Sequence, residues 1–264
     1  MKIKVIPPSE YLSDFVKCFW TLEKGNSLHI ERLFPCGELQ FIFHYGTPFL
    51  ERNSQAFEMR QPEFLCCGQF TKYRDIISKD SAGLFGVVFH PYSITSFFNL
   101  PASEISHNTI DLECIGKVYK ILGYRLQDAK STSERVRIIE AYLLKNLSVP
   151  NKDHFNMIKE SINYISNGSW TKFQIDSFIK KFFISERQFE RIFNRYVGLS
   201  PRTFSGIIRF TRALKMIESS SNLTDVSFNA GYYDQSQFVH AFKDFTGYTP
   251  GEYRSKITKE KMSV

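Results

Sequence analysis

The sequence predicts an α+β chain of two domains, a β-rich N-terminal domain followed by an all-helical C-terminal domain. At 264 residues the chain is long for one domain. Short apolar and aromatic runs between Gly, Pro and polar clusters fill its first part, and apolar residues recur at helical spacing in its second. We expect domains at residues 1–147 and 154–256, a linker at 148–153 and a basic tail at 257–264.

The β-rich domain is predicted from four apolar or aromatic runs. They lie at residues 18–24, 39–46, 64–70 and 83–91. Several short strands at close spacing are typical of a barrel or a sandwich. Ser9 is expected to cap a short helix before the first run, and Ser131 with Glu134 forms a capping-box pattern that begins a helical tail.

The helical domain is predicted to begin after the polar segment SVPNKD, because a helix interior does not tolerate its proline. Asp153 is expected to be the N-cap of the first helix, which would end at Asn167-Gly168. Ile158, Ile162 and Ile165 would lie on its buried face.

A short pattern occurs twice in this domain, 49 residues apart. FERIFNRYVGLSP starts at Phe189 and FVHAFKDFTGYTP at Phe238. Each predicted helix has an N-cap, Ser185 or Asp234, with glutamine three residues later for a capping box. Each ends at a glycine suited to the left-handed C-cap, followed by a hydroxyl–proline pair. The predicted buried stripes are Phe189, Ile192, Phe193, Tyr196 and Phe238, Ala241, Phe242, Phe245.

A further helix precedes each copy after a tight turn. Ile175, Phe178, Ile179 and Phe182 form the apolar stripe of the first, and Leu223 and Val226 belong to the second. Helix, short turn and capped helix is the helix-turn-helix arrangement, whose second helix enters the DNA major groove. A helix over about 204–219 would support both copies.

The exposed faces of the two capped helices carry groups that read base edges, since Arg suits guanine and Gln suits adenine. The candidates for base contact are Arg187, Glu190, Arg191, Gln235, Ser236, Gln237 and His240. The candidates for phosphate contact are Arg202, Arg209, Arg212 and Lys243. The alternative is an ordinary solvated face of a helical bundle, which the duplication with matched caps argues against.

Charge and cysteine usage agree with a DNA-binding protein. Residues 1–150 hold 17 Lys or Arg and 16 Asp or Glu, whereas residues 151–264 hold 17 and 11, so the basic excess favours a polyanion at the C-terminal part. The five cysteines show no CxxC spacing, which argues against a disulfide framework or a zinc site. A sensing role for Cys66-Cys67 stays open.

No apolar run in the sequence is long enough to span a membrane. The first 13 residues lack the continuous apolar region of a secretory signal. We therefore expect a cytoplasmic protein without a membrane partner.

Residues 222–254, NLTDVSFNAGYYDQSQFVHAFKDFTGYTPGEYR, resemble the signature of the AraC/XylS transcription regulators. Arg209, Ala213 and Leu214 match the linking-helix pattern of that family, and the resemblance covers about 153–254. It implies two helix-turn-helix units joined by a long helix, with the base-reading positions at the seven residues named above. The sequence departs from the family at Phe182-Phe183, where a glycine is usual, and at Glu190 and Val239, where a polar or cationic residue is easier to explain.

The N-terminal part resembles the cupin-like regulatory domain of a subset of such regulators, through Trp20, residues 32–43, Gly68 and residues 86–98. The resemblance implies a domain that binds a small effector, forms a homodimer, or both. An effector pocket is predicted near Trp20, His44 and His90. RNA polymerase would be a further partner of an activator.

Two enzyme classes and one binding class compete with this interpretation. A cupin metalloenzyme needs clustered histidines, but His44 and His90 stand apart without HxH spacing. A fused DNA-repair methyltransferase needs a zinc-held acceptor cysteine, for which the cysteine spacing is wrong. An interaction protein that never contacts DNA would not need duplicated capped basic helices. We expect a bacterial one-component regulator of promoter DNA that is not an enzyme and needs no metal or cofactor.

Overall fold

The computed structural model describes residues 2–98, 100–149, 151–168, 172–217 and 222–262. Its strands lie between Lys2 and Asp111, and its described residues from 151 onward form helices and turns. The predicted fold class, β-rich then all-helical, is therefore confirmed.

Ten strands pair antiparallel in two sheets. They are β1 Lys2–Ile6, β2 Val16–Lys24, β3 His29–Leu33, β4 Leu39–His44, β5 Leu50–Asn53, β6 Glu58–Arg60, β7 Phe64–Cys67, β8 Arg74–Ser78, β9 Ala82–Phe89 and β10 Thr109–Asp111. The larger sheet has the order β1-β2-β9-β4-β7-β10 and the smaller has β3-β8-β5-β6. The four predicted runs are β2, β4, β7 and β9, which are consecutive neighbours at the centre of the larger sheet.

The larger sheet is covered on both faces because side chains alternate along its strands. Phe19, Phe41, Phe85 and Phe89 on one face are almost fully buried against helices that follow the strands. On the opposite face, Leu84 packs with Ile76 of the smaller sheet. The core of this domain thus lies on both sides of one sheet.

Eleven α-helices are described. They are α1 Ala102–Ile105, α2 Leu112–Ile115, α3 Lys117–Asp128, α4 Thr132–Asn146, α5 Lys152–Ser166, α6 Lys172–Lys181, α7 Glu186–Val197, α8 Pro201–Ile217, α9 Leu223–Ala230, α10 Gln235–Thr246 and α11 Pro250–Met262. The predicted end of the supporting helix at residue 219 lies outside the described residues, as do the last two residues of the predicted tail. The domain limits stay predictions. Within the described ranges, no helix is long and apolar enough to cross a membrane.

The helix caps agree with the sequence in part. Ser131 Oγ accepts from the Glu134 N–H at 3.2 Å, but the Glu134 carboxylate accepts from the Lys130 N–H at 2.8 Å, one residue earlier than in the standard box. Ser9 precedes a short 3₁₀ turn, Glu10–Leu12, without a side-chain cap bond.

The prediction that Asp153 caps α5 is wrong. Asn151 is the N-cap, since its backbone is extended and its Oδ1 accepts from the His154 N–H at 2.8 Å. Both residue types cap helices, and the chain turns into the helix two residues earlier than expected. Asp153 instead places its charge in the first turn, where the helix dipole favours an anion.

The two regions share side-chain clusters. The Phe155 ring of α5 lies 5.4 Å from the Phe15 ring and 5.3 Å from the Tyr92 ring, between centroids. The Phe34 ring lies 6.1 Å from the Phe210 ring of α8 and 5.7 Å from the Tyr253 ring of α11. The helical region is therefore packed onto the β-rich region at two separate places.

Gly198, the residue that ends α7, is one point of contact between the regions. Its φ is +84°, and a Cβ there would overlap Ser106 Oγ and lie 2.8 Å from the Ala102 carbonyl oxygen, both at α1. Glycine thus gives the helix its left-handed end and lets α1 approach the backbone.

Gly247, which ends α10, makes the equivalent contact with another part of the N-terminal region. Its φ is +78°, and a Cβ would lie 2.7 Å from Tyr73 Cε1. Beside it, Arg32 donates to the Thr246 carbonyl oxygen at 3.2 Å and forms a two-bond ion pair with Asp75. Its guanidinium carbon lies 3.8 Å from the centroid of the Tyr73 ring. The duplicated glycines therefore both touch the β-rich region.

Replacement of either glycine should be costly. We expect Gly198→Ala and Gly247→Ala to lower the free energy of unfolding by about 2–5 kcal/mol, because left-handed strain adds to overpacking. Urea unfolding measures this. Gly251→Ala is the control, since no atom lies within 4 Å of a Cβ there and its φ is not positive. Equal stability of all three variants would contradict the packing argument.

Candidate nucleic-acid interface

Both predicted recognition helices, α7 and α10, begin at the predicted N-caps. Ser185 Oγ accepts from the Gln188 N–H at 3.2 Å, and Asp234 Oδ1 accepts from the Gln237 N–H at 2.7 Å. The Gln237 side-chain oxygen accepts in turn from the Tyr233 N–H at 3.1 Å, which closes the second cap. Gln237 therefore already has a structural bond in addition to its predicted role in base contact.

The turns before these helices have the same hydrogen bonds but different residues. In the second, Tyr232 N–H donates to Ser227 O and Gly231, at φ +90°, is left-handed. In the first, Ile184 N–H donates to Ile179 O and Phe183, at φ +52°, is left-handed. A phenylalanine thus takes the conformation that the family pattern usually gives to glycine, and the first turn is one residue shorter between that position and the N-cap.

The predicted buried stripe is confirmed for α7, whereas in α10 Ala241 and Phe245 are only half-buried. In α7, Phe189 and Phe193 are buried, and in α10, Phe238 and Phe242 are fully buried. The opposite faces carry the predicted base-contact residues, and all seven are exposed: Arg187, Glu190, Arg191, Gln235, Ser236, Gln237 and His240. Each unit thus presents a polar face held by an aromatic core.

Helix α8 connects the two units by contributing to the cores of both. Its Phe204 and Ile207 belong to the cluster around α7, whereas Phe210 and Ala213 belong to the cluster around α10. All four side chains are fully buried. Because close-packed cores resist deformation, this shared helix fixes one unit relative to the other.

The four candidates for phosphate contact differ in their surroundings. Arg202 and Lys243 are exposed. Arg209 is half-buried, with its guanidinium carbon 5.6 Å from the centroid of the Tyr232 ring, and burial raises the pKa of Tyr232 to about 12. Arg212 donates to the carbonyl oxygens of Ile165 and Ser166 at the end of α5. Arg212 thus caps α5 within the protein, while Arg202 and Lys243 are open to an outside anion.

The residues predicted for an effector pocket lie on two strands that flank β9 and just after β9 itself. His44 pairs with Leu84 and Trp20 with Gly86, whereas His90 follows the end of β9. Six residues from 84 to 90 span roughly 20 Å in a strand. Trp20 donates to the Gln40 side chain at 3.1 Å, and His90 Nε2 lies 3.1 Å from the Ser13 carbonyl oxygen. His90 thus lies far from His44 along β9, and an effector pocket near these three residues stays a prediction.

A cavity of about 350 Å³, lined by residues other than Trp20, His44 and His90, lies at the edge of the smaller sheet. Its walls include Phe57, Met59, Tyr73 and Asn108, and Glu51, Arg74 and Thr109 also line it. Arg74 NH1 lies 2.7 Å from Glu51 Oε1, and Thr109 Oγ1 lies 2.9 Å from Glu51 Oε2. No sequence pattern indicates this site, because its polar residues stand singly on short strands.

The buried ion pair continues into the interior through hydrogen bonds. Gln61 donates to Glu51 at 3.0 Å, and the Gln61 oxygen lies 3.2 Å from His44 Nε2. His44 is fully buried, and burial lowers its pKa to about 4. The histidine is therefore neutral in the folded protein near pH 7.

The cysteines give little support to a sensing role. All five are free. Burial raises the pKa of Cys67 to about 11 and the pKa of Cys66 well above its usual value, so neither is a ready thiolate. Across the described residues, no three His, Cys, Asp or Glu side chains are grouped as a metal site.

Two family models match the chain. Residues 179–256 match a helix-turn-helix domain, and residues 4–111 match a domain family of unknown function, DUF6597. The first match begins near the end of α6 and ends in α11, so it contains both recognition helices and α8.

Curated relatives are transcription regulators by name. The chain is 24% identical to the Msm operon regulatory protein of Streptococcus mutans over 62% of this chain and 54% of that protein. It is 26% identical to the arabinose operon regulatory protein of Escherichia coli, over 49% and 46%. It is 31% identical to the regulator ArgR of Pseudomonas aeruginosa, over 28% and 22%. The chain spans about half the length of these relatives or less.

Among solved structures, the chain is similar to ToxT of Vibrio cholerae. The TM-score is 0.46 at 9% identity, over 88% of this chain and 98% of that chain.

The buried neutral His44 predicts a pH dependence of stability. Its pKa of about 4 lies below the usual value of 6.5, so between these values the unfolded chain binds more protons than the folded one. We expect its contribution, about 3 kcal/mol, to be complete above pH 6.5 and to be lost as pH falls towards 4. Urea unfolding across this range, compared with His44→Gln, measures the loss. Identical pH profiles would contradict the prediction.

Proposed function

We propose that this chain, which carries a helix-turn-helix domain of the AraC/XylS type, is a DNA-binding transcription regulator that reads promoter DNA with two recognition helices. One observation carries the proposal: two units with the same capped geometry are attached to one buried helix, α8, with polar faces exposed. Two recognition helices held this way can enter successive major-groove segments on one face of a duplex.

The roles of individual residues follow from chemistry and exposure. Arg187 and Arg191 on α7 suit guanine, and Gln235 on α10 suits adenine. His240, one turn further along α10, is exposed on the same helix. Arg202 and Lys243 are proposed to contact phosphate, which positions the protein without reading sequence. Gln237 and Arg212 are proposed mainly to hold the fold, because both already have partners inside the protein.

The N-terminal region is proposed to sense a small polar effector in the cytoplasm. The cavity of about 350 Å³ combines a buried ion pair with the ring of Phe57, a lining typical of pockets that orient a ligand with few polar groups. Tyr73 lines this cavity and also contacts Gly247 at the end of α10. Occupation of the cavity would therefore act on the second recognition helix through one shared side chain.

DNA binding is tested with fluorescent duplexes from the region upstream of the protein's own gene and scrambled duplexes of the same length, across a salt series. We expect a preference of roughly 10³-fold or more and a steep loss of affinity with salt. Arg191→Ala and His240→Ala should each cost about 1–3 kcal/mol on the preferred site and relax base preference. Lys243→Ala should weaken binding to all sequences alike.

The matched control for these variants is Lys79→Ala, a cation in the N-terminal region away from both recognition helices, which should bind DNA like the parent. Equal losses on every duplex for Arg191→Ala, His240→Ala and Lys243→Ala would overturn the assignment of base contacts.

Effector binding is tested by the melting temperature of the full chain in a screen of small polar compounds. A ligand at 100 times its Kd stabilises by about 2.7 kcal/mol, which is a shift of several degrees. Phe57→Ala should abolish the shift without loss of stability, because this ring is 64% exposed. Tyr11→Ala removes another exposed ring, and it should keep the shift. A compound that stabilises the parent and Phe57→Ala equally binds elsewhere.

A further inference from the structure

Two aromatic side chains are exposed to an unusual extent in the helical region. Phe183 is 97% exposed and Tyr233 is 92% exposed, the two highest values among the large apolar side chains that the structure describes. Single exposed apolar residues are common, but these two occupy related places. Each lies in the turn of a helix-turn-helix unit, within two residues of the N-cap of its recognition helix.

The backbone of Phe183 is strained. Its φ of +52° is left-handed, a conformation that is uncommon for a bulky residue and easy for glycine. The second unit has glycine at the corresponding point of its hydrogen-bonded turn. The turn itself needs a left-handed residue, since the Ile184 N–H donates to the Ile179 carbonyl oxygen, but a ring that is 97% exposed gains little from packing that would offset the strain its Cβ adds. A bulky residue at a strained position where glycine would serve the fold is a sign of function.

The position of the two rings indicates what they contact. The N-terminal residues of a recognition helix are those that approach base edges, so a turn directly before that end lies at the rim of the major groove. Exposed cations flank Phe183, namely Lys180 at the end of α6 and Arg187 in the first turn of α7. Such surroundings suit the sugar–phosphate backbone and do not suit an apolar protein partner.

We propose that Phe183 and Tyr233 contact DNA at the entry of the two recognition helices. The Phe183 ring packs against the C5-methyl group of a thymine, an apolar contact that reads sequence. The Tyr233 hydroxyl donates to a phosphate, which adds affinity without reading sequence. This inference rests on the proposed function and extends the interface beyond the helix faces to both turns.

The test for Phe183 separates stability from binding. Phe183→Gly relieves the left-handed strain and removes the ring, so we expect the melting temperature to rise by about 2–4 °C. Affinity for the preferred duplex should fall roughly fivefold, the factor given by about 1 kcal/mol of lost contact. A residue with only a structural role would not move the two quantities in opposite directions.

A thymine-to-uracil scan of the preferred duplex identifies the contact itself, because uracil lacks only the C5-methyl group. We expect one position at which uracil weakens the parent roughly fivefold and leaves Phe183→Gly unchanged. Tyr233→Phe, which removes only the hydroxyl, should weaken preferred and scrambled duplexes by the same factor. Tyr11→Ala removes an 81% exposed ring in the N-terminal region and should change neither binding nor the uracil response.

The outcomes distinguish this inference from the proposed function. If Arg191→Ala loses sequence preference while Phe183→Gly and Tyr233→Phe bind like the parent, DNA recognition stands and the turn contacts are wrong. If the parent shows no sequence preference at any salt concentration, both proposals fail.

Discussion

The absence of a side chain at two positions governs how this molecule is assembled. Gly198 and Gly247 end the two recognition helices in the left-handed conformation, and the N-terminal region occupies the space that a Cβ would take. The carboxyl end of each recognition helix thus contacts a different part of the same region. The first contacts α1, and the second contacts Tyr73 and Arg32. The orientation of the two polar faces therefore depends on these two contacts as well as on α8.

The smaller sheet links the candidate cavity to the contact of Arg32 with the end of α10. Successive residues of a strand point to opposite faces. Accordingly, Arg74 bonds to Glu51 at the cavity, while its neighbour Asp75 holds Arg32 against the end of α10. A change at the cavity can therefore reach the second recognition helix through the Arg74-Asp75 backbone, the ion pair of Asp75 with Arg32, and the hydrogen bond from Arg32 to the Thr246 carbonyl oxygen. The first contact, between Gly198 and Ser106 at the end of α1, also has neighbours at the cavity, since His107, Asn108 and Thr109 line it. A change at the cavity can therefore reach both units.

The sequence predicted the parts of this structure whose signals are local. The four central strands of the larger sheet were found because each carries an apolar or aromatic run. β9 is buried along its whole length and β4 and β7 at most positions, while β2 is marked by Phe19-Trp20. The edge and smaller-sheet strands were missed because β3, β5 and β6 are short and polar, and their pairing depends on partners distant in sequence. Both recognition helices were found with their caps, since Ser185, Asp234, Gly198 and Gly247 act on their own neighbours.

Tertiary contacts decided what the sequence left open. The expected pocket near Trp20, His44 and His90 stays a prediction, because these residues belong to different strands around β9 and a sequence pattern does not report the distances between them. Arg212 was assigned to DNA from its charge, but its position beside the end of α5 gives it carbonyl partners inside the protein. The left-handed turn at Phe183 was unexpected because a residue other than glycine supplies it.

Because aromatic clusters are shared between the two regions, the boundary in the sequence near residue 151 does not separate two independently packed cores. Phe155, Phe210 and Tyr253 of the helical region are covered by Phe15, Tyr92 and Phe34 of the β-rich region. A fragment cut at residue 151 would expose part of these rings to water and would lack the contacts that Gly198 and Gly247 make with the N-terminal region. The chain thus has two regions by architecture, and we expect them to unfold together. A ligand that separates the two regions must supply binding free energy equal to the free energy of the contacts it breaks. The same free energy sets how much stability the chain loses when one region is removed.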